Sequence, residues 1–159
     1  MATITEATLD FIYEHTKSAT EAQEANGVAL DGKGFQLMTA ASIVVGISGL
    51  VTQMGTVPKM AGYLLLGAVI SFILSALLTL LGVRISRFRT SLQADVLWQE
   101  YWNLEPKEIK HALVDDISKA YEYNKRKMFQ KASFLRWAFI LSSVEVALVG
   151  AAFVIAILS

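Results

Sequence analysis

The residue with the clearest potential for chemistry is an acidic side chain in an apolar stretch. Glu145 is the one charged residue within 137–159. If this stretch belongs to a membrane-spanning helix that begins near Phe134, the carboxyl group lies about 16 Å deep, close to the bilayer midplane. An ionised carboxylate there costs at least ~2.5 kcal/mol unless it is paired or hydrated. Three roles stay open: lining a pore or an oligomer contact, hydrogen bonding as a protonated acid to Ser71 or Ser75, and proton transfer.

Other reactive groups are sparse in this sequence. Glu108 and His111 form a single E-x-x-H, whereas a di-iron bundle needs that motif twice together with two more carboxylates. The chain has no Cys, which excludes disulfides, thiolate zinc sites and a Cys nucleophile. Phosphate-binding loops, nucleophile elbows and H-E-x-x-H motifs are also absent from the sequence. We therefore expect no enzyme, no metal and no cofactor.

Two further groups of side chains suit a ligand or a partner. Trp98, Tyr101 and Trp102 have the rings to stack on a base, but such rings equally cap a helical core or rest on a membrane surface. Lys125 and Arg126 have the charge to bind a phosphate, but membrane topology alone also explains a basic segment. Both alternatives stay open for each group.

The composition places these residues in a membrane protein. The chain has 159 residues, of which 54% are hydrophobic and 18% charged, and its net charge of zero argues against a nucleic-acid partner. The segments 34–58 and 60–83 are uncharged, and 137–159 contains Glu145 alone. Each is long enough for the ~20 helical residues that cross a bilayer. They predict three spans, at roughly 35–54, 60–83 and 134–158.

Basic residues predict the orientation of these spans. Eleven Lys and Arg lie in 84–136, against two in 1–33 and one, Lys59, in the turn between the first two spans. Because cytoplasmic loops carry an excess of positive charge, we expect 84–136 and the N-terminus inside, the C-terminus outside, and a place in the cell inner membrane. The net charges of 1–33 and 84–136 are −4 and +4, which favours docking between them.

We predict an all-α fold in which helices continue beyond the membrane. No Gly or Pro interrupts 83–105, so the second span is expected to continue to about Trp102. Pro106 suits the first turn of a helix, and one helix is expected from there to about Leu158. The two helices would form a cytoplasmic hairpin. Three glycines predict a break before the first span: Gly27, Gly32 and Gly34.

The predicted organisation is one structural domain with four segments. They are a cytoplasmic N-terminal helical segment at 1–33, a transmembrane hairpin at 34–83, a cytoplasmic helical hairpin at 84–133 and a third span at 134–159. The first segment is mildly amphipathic and is expected to pack on the cytoplasmic hairpin. Its apolar residues are Leu9, Ile12, Ala19, Ala22 and Val28.

Small residues predict how the spans pack. Four of them recur every fourth residue on the second span, which lets another helix backbone approach closely. The first and third spans carry further small residues, and those on two faces of the third span favour a homo-oligomer. The predicted packing positions are Gly67, Ser71, Ser75, Thr79, Gly46 and Gly150.

Three features of the chain resemble a known family. The first span starts with LDGKGFQL at 30–37, the two-span hairpin has a basic exit at 84–89, and 115–124 leads through 131–132 into the last span. Over about residues 28–155 this organisation is similar to the Pycsar transmembrane effectors of bacterial nucleotide-signalling defence. The resemblance implies that the cytoplasmic part senses a cyclic nucleotide and that the spans disrupt the membrane.

The sequence therefore favours one function and leaves a second open. We expect an oligomeric multipass effector whose cytoplasmic helices sense a signal, with a cyclic nucleotide as the candidate ligand. Its spans would permeabilise the membrane in antiviral defence. The alternative is a structural or adaptor subunit of a larger membrane complex, with the cytoplasmic hairpin as its docking arm. In both hypotheses the lipid bilayer is a partner.

Overall fold

The computed structural model describes residues 6–53, 57–85 and 105–158, with side chains from all but 50–53. Over these residues the chain forms three helices and no strand, and each helix is long and apolar enough to cross a membrane. The predicted all-α fold with three candidate spans is confirmed, whereas the orientation of the termini stays a prediction. The helices are α1 (Glu6–Gln53), α2 (Lys59–Arg84) and α3 (Pro106–Leu158).

Helix α1 is continuous, so the predicted break at Gly27, Gly32 and Gly34 is wrong. Two of these glycines are buried, at positions 27 and 34. A Cβ atom added at Gly34 would lie 3.1 Å from Leu135 Cδ2 and 3.3 Å from Thr79 Cγ2. A glycine within a helix costs about 1 kcal/mol relative to alanine. Here that cost is offset because two neighbouring helices pack directly against the glycine.

Helix α2 ends earlier than the sequence predicts. It ends at Arg84, and the amide of Ile85 donates to the carbonyl of Gly82 at 3.2 Å, which tightens the last turn. Ile85 has φ −77° and ψ 45°, outside the helical region. The predicted continuation through Ile85 is therefore wrong, and Trp102 lies outside the described residues. Gly82 was the one weak breaker near this point, since glycine has low helix propensity.

Helix α3 confirms the predicted single helix from Pro106 to Leu158 and contains 53 residues. The carbonyl of Glu105 accepts hydrogen bonds from the amides of Glu108 and Ile109, at 2.9 and 3.0 Å. The Glu105 amide in turn donates to Glu108 Oε2 at 3.4 Å. This reciprocal arrangement satisfies free amides of the first turn and explains why the helix begins at Pro106.

The chain divides into two compact units, and the first contains the N-terminal part of α1 and the N-terminal part of α3. It comprises Met1–Val28 and Arg87–Phe129. Lys110 forms an ion pair with Asp10, and Gln23 Nε2 donates to the backbone oxygen of Tyr121 at 3.3 Å. The predicted contact between the oppositely charged segments is thus present among the described residues.

The face that α1 presents within the first unit differs from the predicted one. Leu9 is buried as expected, but Ile12, Ala22 and Val28 are exposed. The residues of α1 that are buried here are Leu9, Thr20, Gln23 and Gly27.

The second unit, Ala29–Ser86 with Gln130–Ser159, is a bundle of three helices. Positions on α2 contact progressively earlier positions on α3, so these helices are antiparallel: a Cβ at Gly67 would meet Leu148 and one at Gly82 would meet Leu135. Helix α1 is parallel to α3, because Asp31 pairs with Lys131 and Gly34 follows opposite Leu135.

Buried positions in this bundle recur every seventh residue, as in left-handed coiled coils. On α1 and α2 the repeated residues are small or hydroxylated, and on α3 two of four are charged. They are Gly34, Ala41 and Ser48 on α1, Ala61, Ala68, Ser75 and Gly82 on α2, and Lys131, Ala138, Glu145 and Ala152 on α3.

Candidate functional site in the three-helix bundle

Glu145 lies inside the bundle, on the face of α3 that packs against the other helices. Its side chain is 0% exposed, and neither carboxylate oxygen has a hydrogen-bond partner in the described part of the chain. Its buried neighbours on the same face of α3 include Val149 and Ala152, which offer no side-chain oxygen. The carboxyl group therefore combines complete burial with unsatisfied hydrogen-bonding capacity, an arrangement that is rare in stable proteins.

The helix register places Ser71 at the level of Glu145. Gly67 lies opposite Leu148, and Ser75 is bonded to Ser142, so the midpoint on α2 corresponds to residue 145 on α3. Ser71 is buried as well. The hydrogen bond that the sequence allowed between Glu145 and Ser71 or Ser75 is nevertheless not formed, because both carboxylate oxygens lack a partner among the described residues.

A cluster of hydroxyl groups lies one helical turn from Glu145. Ser75 Oγ donates to the carbonyl of Ala138 at 2.9 Å and lies 2.8 Å from Ser142 Oγ. Since Ser75 has one hydroxyl hydrogen and uses it on Ala138, Ser142 is the donor in the second bond. Thr79 Oγ1 donates to the carbonyl of Ser75 at 2.9 Å. These hydroxyls join α2 to α3 and are satisfied by one another and by the backbone.

An ion pair joins α1 to α3 further along the bundle. Lys131 Nζ lies 2.6 Å from Asp31 Oδ1, and Lys131 is fully buried whereas the Asp31 side chain is 24% exposed. On α3 the pair lies fourteen residues before Glu145, about 21 Å along the axis. The packed side chain of Leu135 lies between the pair and the hydroxyl cluster. Sequence reasoning missed this pair, since it treated Lys131 as one of the basic residues of the cytoplasmic loop.

These buried polar residues form a row along part of the second unit, from the Asp31–Lys131 pair to Glu145, which we call the polar seam. All three helices contribute to it, and apart from Asp31 its members are buried. The seam consists of Asp31 on α1, Ser75 and Thr79 on α2, and Lys131, Ser142 and Glu145 on α3. Beyond Glu145 the bundle has an apolar core that includes Ala61, Leu65 and Ala152.

The outside of the bundle has the opposite character. Of the most apolar window of each helix, between 11% and 28% is buried within the chain. On α2 the buried residues are mainly small or hydroxylated, whereas the large apolar residues point outward. Exposed apolar side chains around a polar interior are what a lipid environment favours. The outward residues of α2 include Leu66, Ile70, Ile73, Leu77 and Leu80.

The predicted packing positions separate into two groups. Ser71, Ser75 and Thr79 are buried, and a Cβ at Gly67 would lie 3.3 Å from Leu148 Cδ1. These positions face the interior of the bundle. The remaining two are exposed, and a Cβ added there would meet no atom within 4 Å. They are Gly46 and Gly150.

Of the residues predicted for a ligand or partner, the structure describes Lys125 and Arg126. Lys125 lies 3.7 Å from Glu122 in an exposed ion pair, and Arg126 is exposed. Groups of three or more acidic, His or Cys residues with metal-binding geometry are absent from the described ranges. The aromatic group lies outside those ranges. It consists of Trp98, Tyr101 and Trp102.

Comparison with known proteins adds no family to this description. No protein-family model matches the sequence, and neither the curated proteins nor the solved structures searched contain a match. The function must therefore be argued from the polar seam and from the apolar surface around it.

Proposed function

We propose that the protein is a multipass effector that permeabilises the cell inner membrane in antiviral defence. The observation that carries this proposal is the polar seam, enclosed by helices whose outer faces are apolar. A membrane anchor needs no buried charge, and each such group lowers stability unless it is compensated. Ionisable residues inside membrane bundles commonly mark an ion path. The seam is therefore better suited to an opening bundle than to an inert one.

The mechanism requires two arrangements of the same helices. In the packed arrangement the hydroxyls of Ser75 and Ser142 bond to each other and Glu145 is enclosed. Separation of α2 from α3 would bring these groups into contact with water and open a polar path. A signal that binds the separated arrangement more tightly would shift the population toward it. The resemblance to the Pycsar effectors suggests a cyclic nucleotide as that signal, sensed by the cytoplasmic helices.

The first experiment measures depolarisation in cells. The full chain is expressed in bacteria with a membrane-potential dye, and cyclic mononucleotides are supplied one at a time. Rapid depolarisation that needs one of these nucleotides is expected. An unchanged potential with every nucleotide would refute the effector proposal.

A second experiment locks the bundle. Because the chain has no Cys, the pair Ser75→Cys with Ser142→Cys introduces the only thiols. The two hydroxyl oxygens are 2.8 Å apart, close to the reach of a disulfide. Oxidation is expected to hold α2 on α3 and abolish depolarisation, and reduction to restore it. Ser75→Cys alone is the matched control, and neither oxidation nor reduction should change its depolarisation. Depolarisation by the oxidised double variant would refute an opening between α2 and α3.

The adaptor alternative has one specific observation in its favour. Phe11, in the first unit, is 72% exposed and stacks on His15 with ring centroids 6.1 Å apart. A large exposed aromatic side chain is a frequent anchor of protein contacts. If Phe11→Ser removes the protein from a larger complex in native gels of gently solubilised membranes, and no nucleotide causes depolarisation, the adaptor function is the correct one.

A further inference from the structure

We infer that Glu145 is a proton-binding site on the path through the three-helix bundle, and that H⁺ is an ion the protein passes across the membrane. This inference deepens the proposed function and rests on it, because a proton can leave Glu145 only when the bundle opens. It identifies the ligand of the polar seam as H⁺, a monovalent cation that a single carboxylate can bind.

The first support is the state of the carboxyl group itself. Glu145 is fully enclosed, and both of its oxygens are without a hydrogen-bond partner in the described residues. An ionised carboxylate in an apolar interior is costly unless it takes up a cation or is hydrated. The packed bundle thus holds a group whose charge is best neutralised by a small cation.

The second support is that the sequence of all three helices provides no countercharge at the level of Glu145. There α1 contributes Val44 and Val45, and α1 has no acidic or basic residue from 34 to 53. Helix α2 has none from 60 to 83, and its one tyrosine, at position 63, is exposed. On α3 the nearest charged residues are Arg136 and Lys131, nine and fourteen positions earlier, the first of them exposed.

The third support distinguishes H⁺ from a metal cation. A hard metal ion needs a shell of several oxygen ligands, whereas H⁺ needs one. Ser71, at the level of Glu145, offers a single hydroxyl, and the hydroxyls of Ser75 and Ser142, one turn away, are already bonded to each other, with Ser75 also donating to Ala138. Val149, the buried neighbour on the other side of Glu145, carries no oxygen in its side chain. The site as built suits a proton and not Na⁺.

The hydroxyl cluster offers that proton its next acceptor. Ser142 lies one turn before Glu145 on α3 and donates to Ser75, which donates to a backbone carbonyl. A chain of hydroxyls passes protons by accepting one at the oxygen and releasing its own. The carbonyl of Ala138 has no proton to release, so Ser75 can pass its proton on only when opening of the bundle replaces this carbonyl by water. Water that enters on opening would join this chain to Glu145 and to the partly exposed Asp31.

The test uses the full chain in vesicles of phosphatidylethanolamine and phosphatidylglycerol, with dicyclohexylcarbodiimide as the probe. The O–H of a protonated carboxyl adds across a C=N bond of this apolar reagent, and the O-acylisourea rearranges to a stable N-acylurea. We expect peptide mass spectrometry to find the adduct on Glu145, less of it as pH rises, and none on the exposed Glu122. Absence of the adduct from Glu145 would overturn the inference. Protection by Na⁺ at constant pH would assign the site to Na⁺ and overturn it too.

A flux measurement completes the test, with a pH-sensitive dye inside the vesicles and the activating nucleotide outside. Glu145→Gln is expected to lower H⁺ flux by about 100-fold, the lower end of what one positioned acid–base group contributes to proton transfer. Glu145→Asp, which keeps the acid, should retain part of the flux, and Glu122→Gln is the matched control with full flux. Wild-type flux in Glu145→Gln would overturn the inference and leave the proposed function standing. If the wild type passes no ion at all, the proposed function fails, and labelling still decides whether Glu145 binds H⁺.

Discussion

Replacing Asp31 by Asn should destabilise the bundle far more than replacing its partner Lys131 by Met. The two groups differ in exposure, since the Lys131 side chain is 0% exposed and that of Asp31 is 24% exposed. Without the carboxylate, the ammonium group stays enclosed and loses its ion pair with Asp31. Without the ammonium group, the carboxylate can still be hydrated, and Met fills much of the volume of Lys.

The loss of unfolding free energy in each variant depends on which charged group remains enclosed. Removing one partner of a buried ion pair costs about 3–5 kcal/mol when the other remains enclosed, so we expect this cost for Asp31→Asn. For Lys131→Met we expect about 1 kcal/mol, the centre of the distribution for point substitutions. The double variant should resemble Lys131→Met alone, because neither charge of the pair remains. The expected coupling between the two positions therefore equals the cost of Asp31→Asn, about 3–5 kcal/mol, which is more than 100-fold in the unfolding equilibrium constant.

The assay is reversible unfolding in mixed micelles with increasing sodium dodecyl sulfate, followed by the loss of helical circular dichroism. Lys125→Met is the matched control, because its ion pair with Glu122 is exposed and such pairs contribute about 0–1 kcal/mol. The reasoning is refuted if the two single variants cost the same. It is equally refuted if their costs add in the double variant to within about 0.5 kcal/mol.

Three further predictions concern packing, hydrogen bonding and pH. In the same assay, Gly34→Leu should lower the free energy of unfolding by about 1–3 kcal/mol, because neighbouring atoms already lie within 3.5 Å of an added Cβ. Gly46 has no such neighbours, so Gly46→Leu should leave the free energy of unfolding unchanged. Equal effects of the two substitutions would contradict this packing. Ser75→Ala should cost about 1 kcal/mol by loss of its interhelical hydrogen bonds, and an unchanged unfolding midpoint would show that these bonds add no stability. The hydrogen bond to Asp10 raises the pKa of Lys110 above its usual value of 10.5. The contact between Lys110 and Asp10 therefore stabilises the first unit fully below pH 10.5, and this stabilisation is lost as the pH rises through the raised pKa. Amide hydrogen exchange in the first unit, corrected for its intrinsic pH dependence, should accelerate there in the wild type but not in Asp10→Asn.

The spans could be predicted from the sequence because the membrane core excludes charge. The uncharged runs at 34–58 and 60–83 have no other simple physical cause, and α2 (Lys59–Arg84) follows the second of them closely. Helix α3 was predictable for a related reason, since neither Gly nor Pro occurs between Pro106 and Gly150 and the helical spacing continues throughout. These are local properties of the chain, and the structure reproduces them.

The contacts between helices could not be predicted in the same way. Asp31 and Lys131 are separated by 100 positions in the chain, and a count of basic residues treats every lysine of a loop as facing water. The sequence predicts a helix break at Gly34 because local propensity contains no information about a neighbouring helix. One signal was present, namely the seven-residue spacing that joins Lys131, Ala138 and Glu145 on one face of α3. Such a spacing predicts a face that packs against other helices, which places both Lys131 and Glu145 in the interior of the bundle.

The position of Glu145 also decides where the proposed path has to open. From the sequence, Glu145 could line a pore or lie at a contact between copies of the chain. In the structure its side chain is enclosed by the helices of its own chain. A second copy packed on the outside would meet other positions, among them Gly46 and Gly150, where the surface is open. Assembly of copies can therefore stabilise or control the open arrangement without lining it. Under the proposed function, the path would form within each chain, between α2 and α3, where the hydrogen bond of Ser75 and Ser142 joins the two helices.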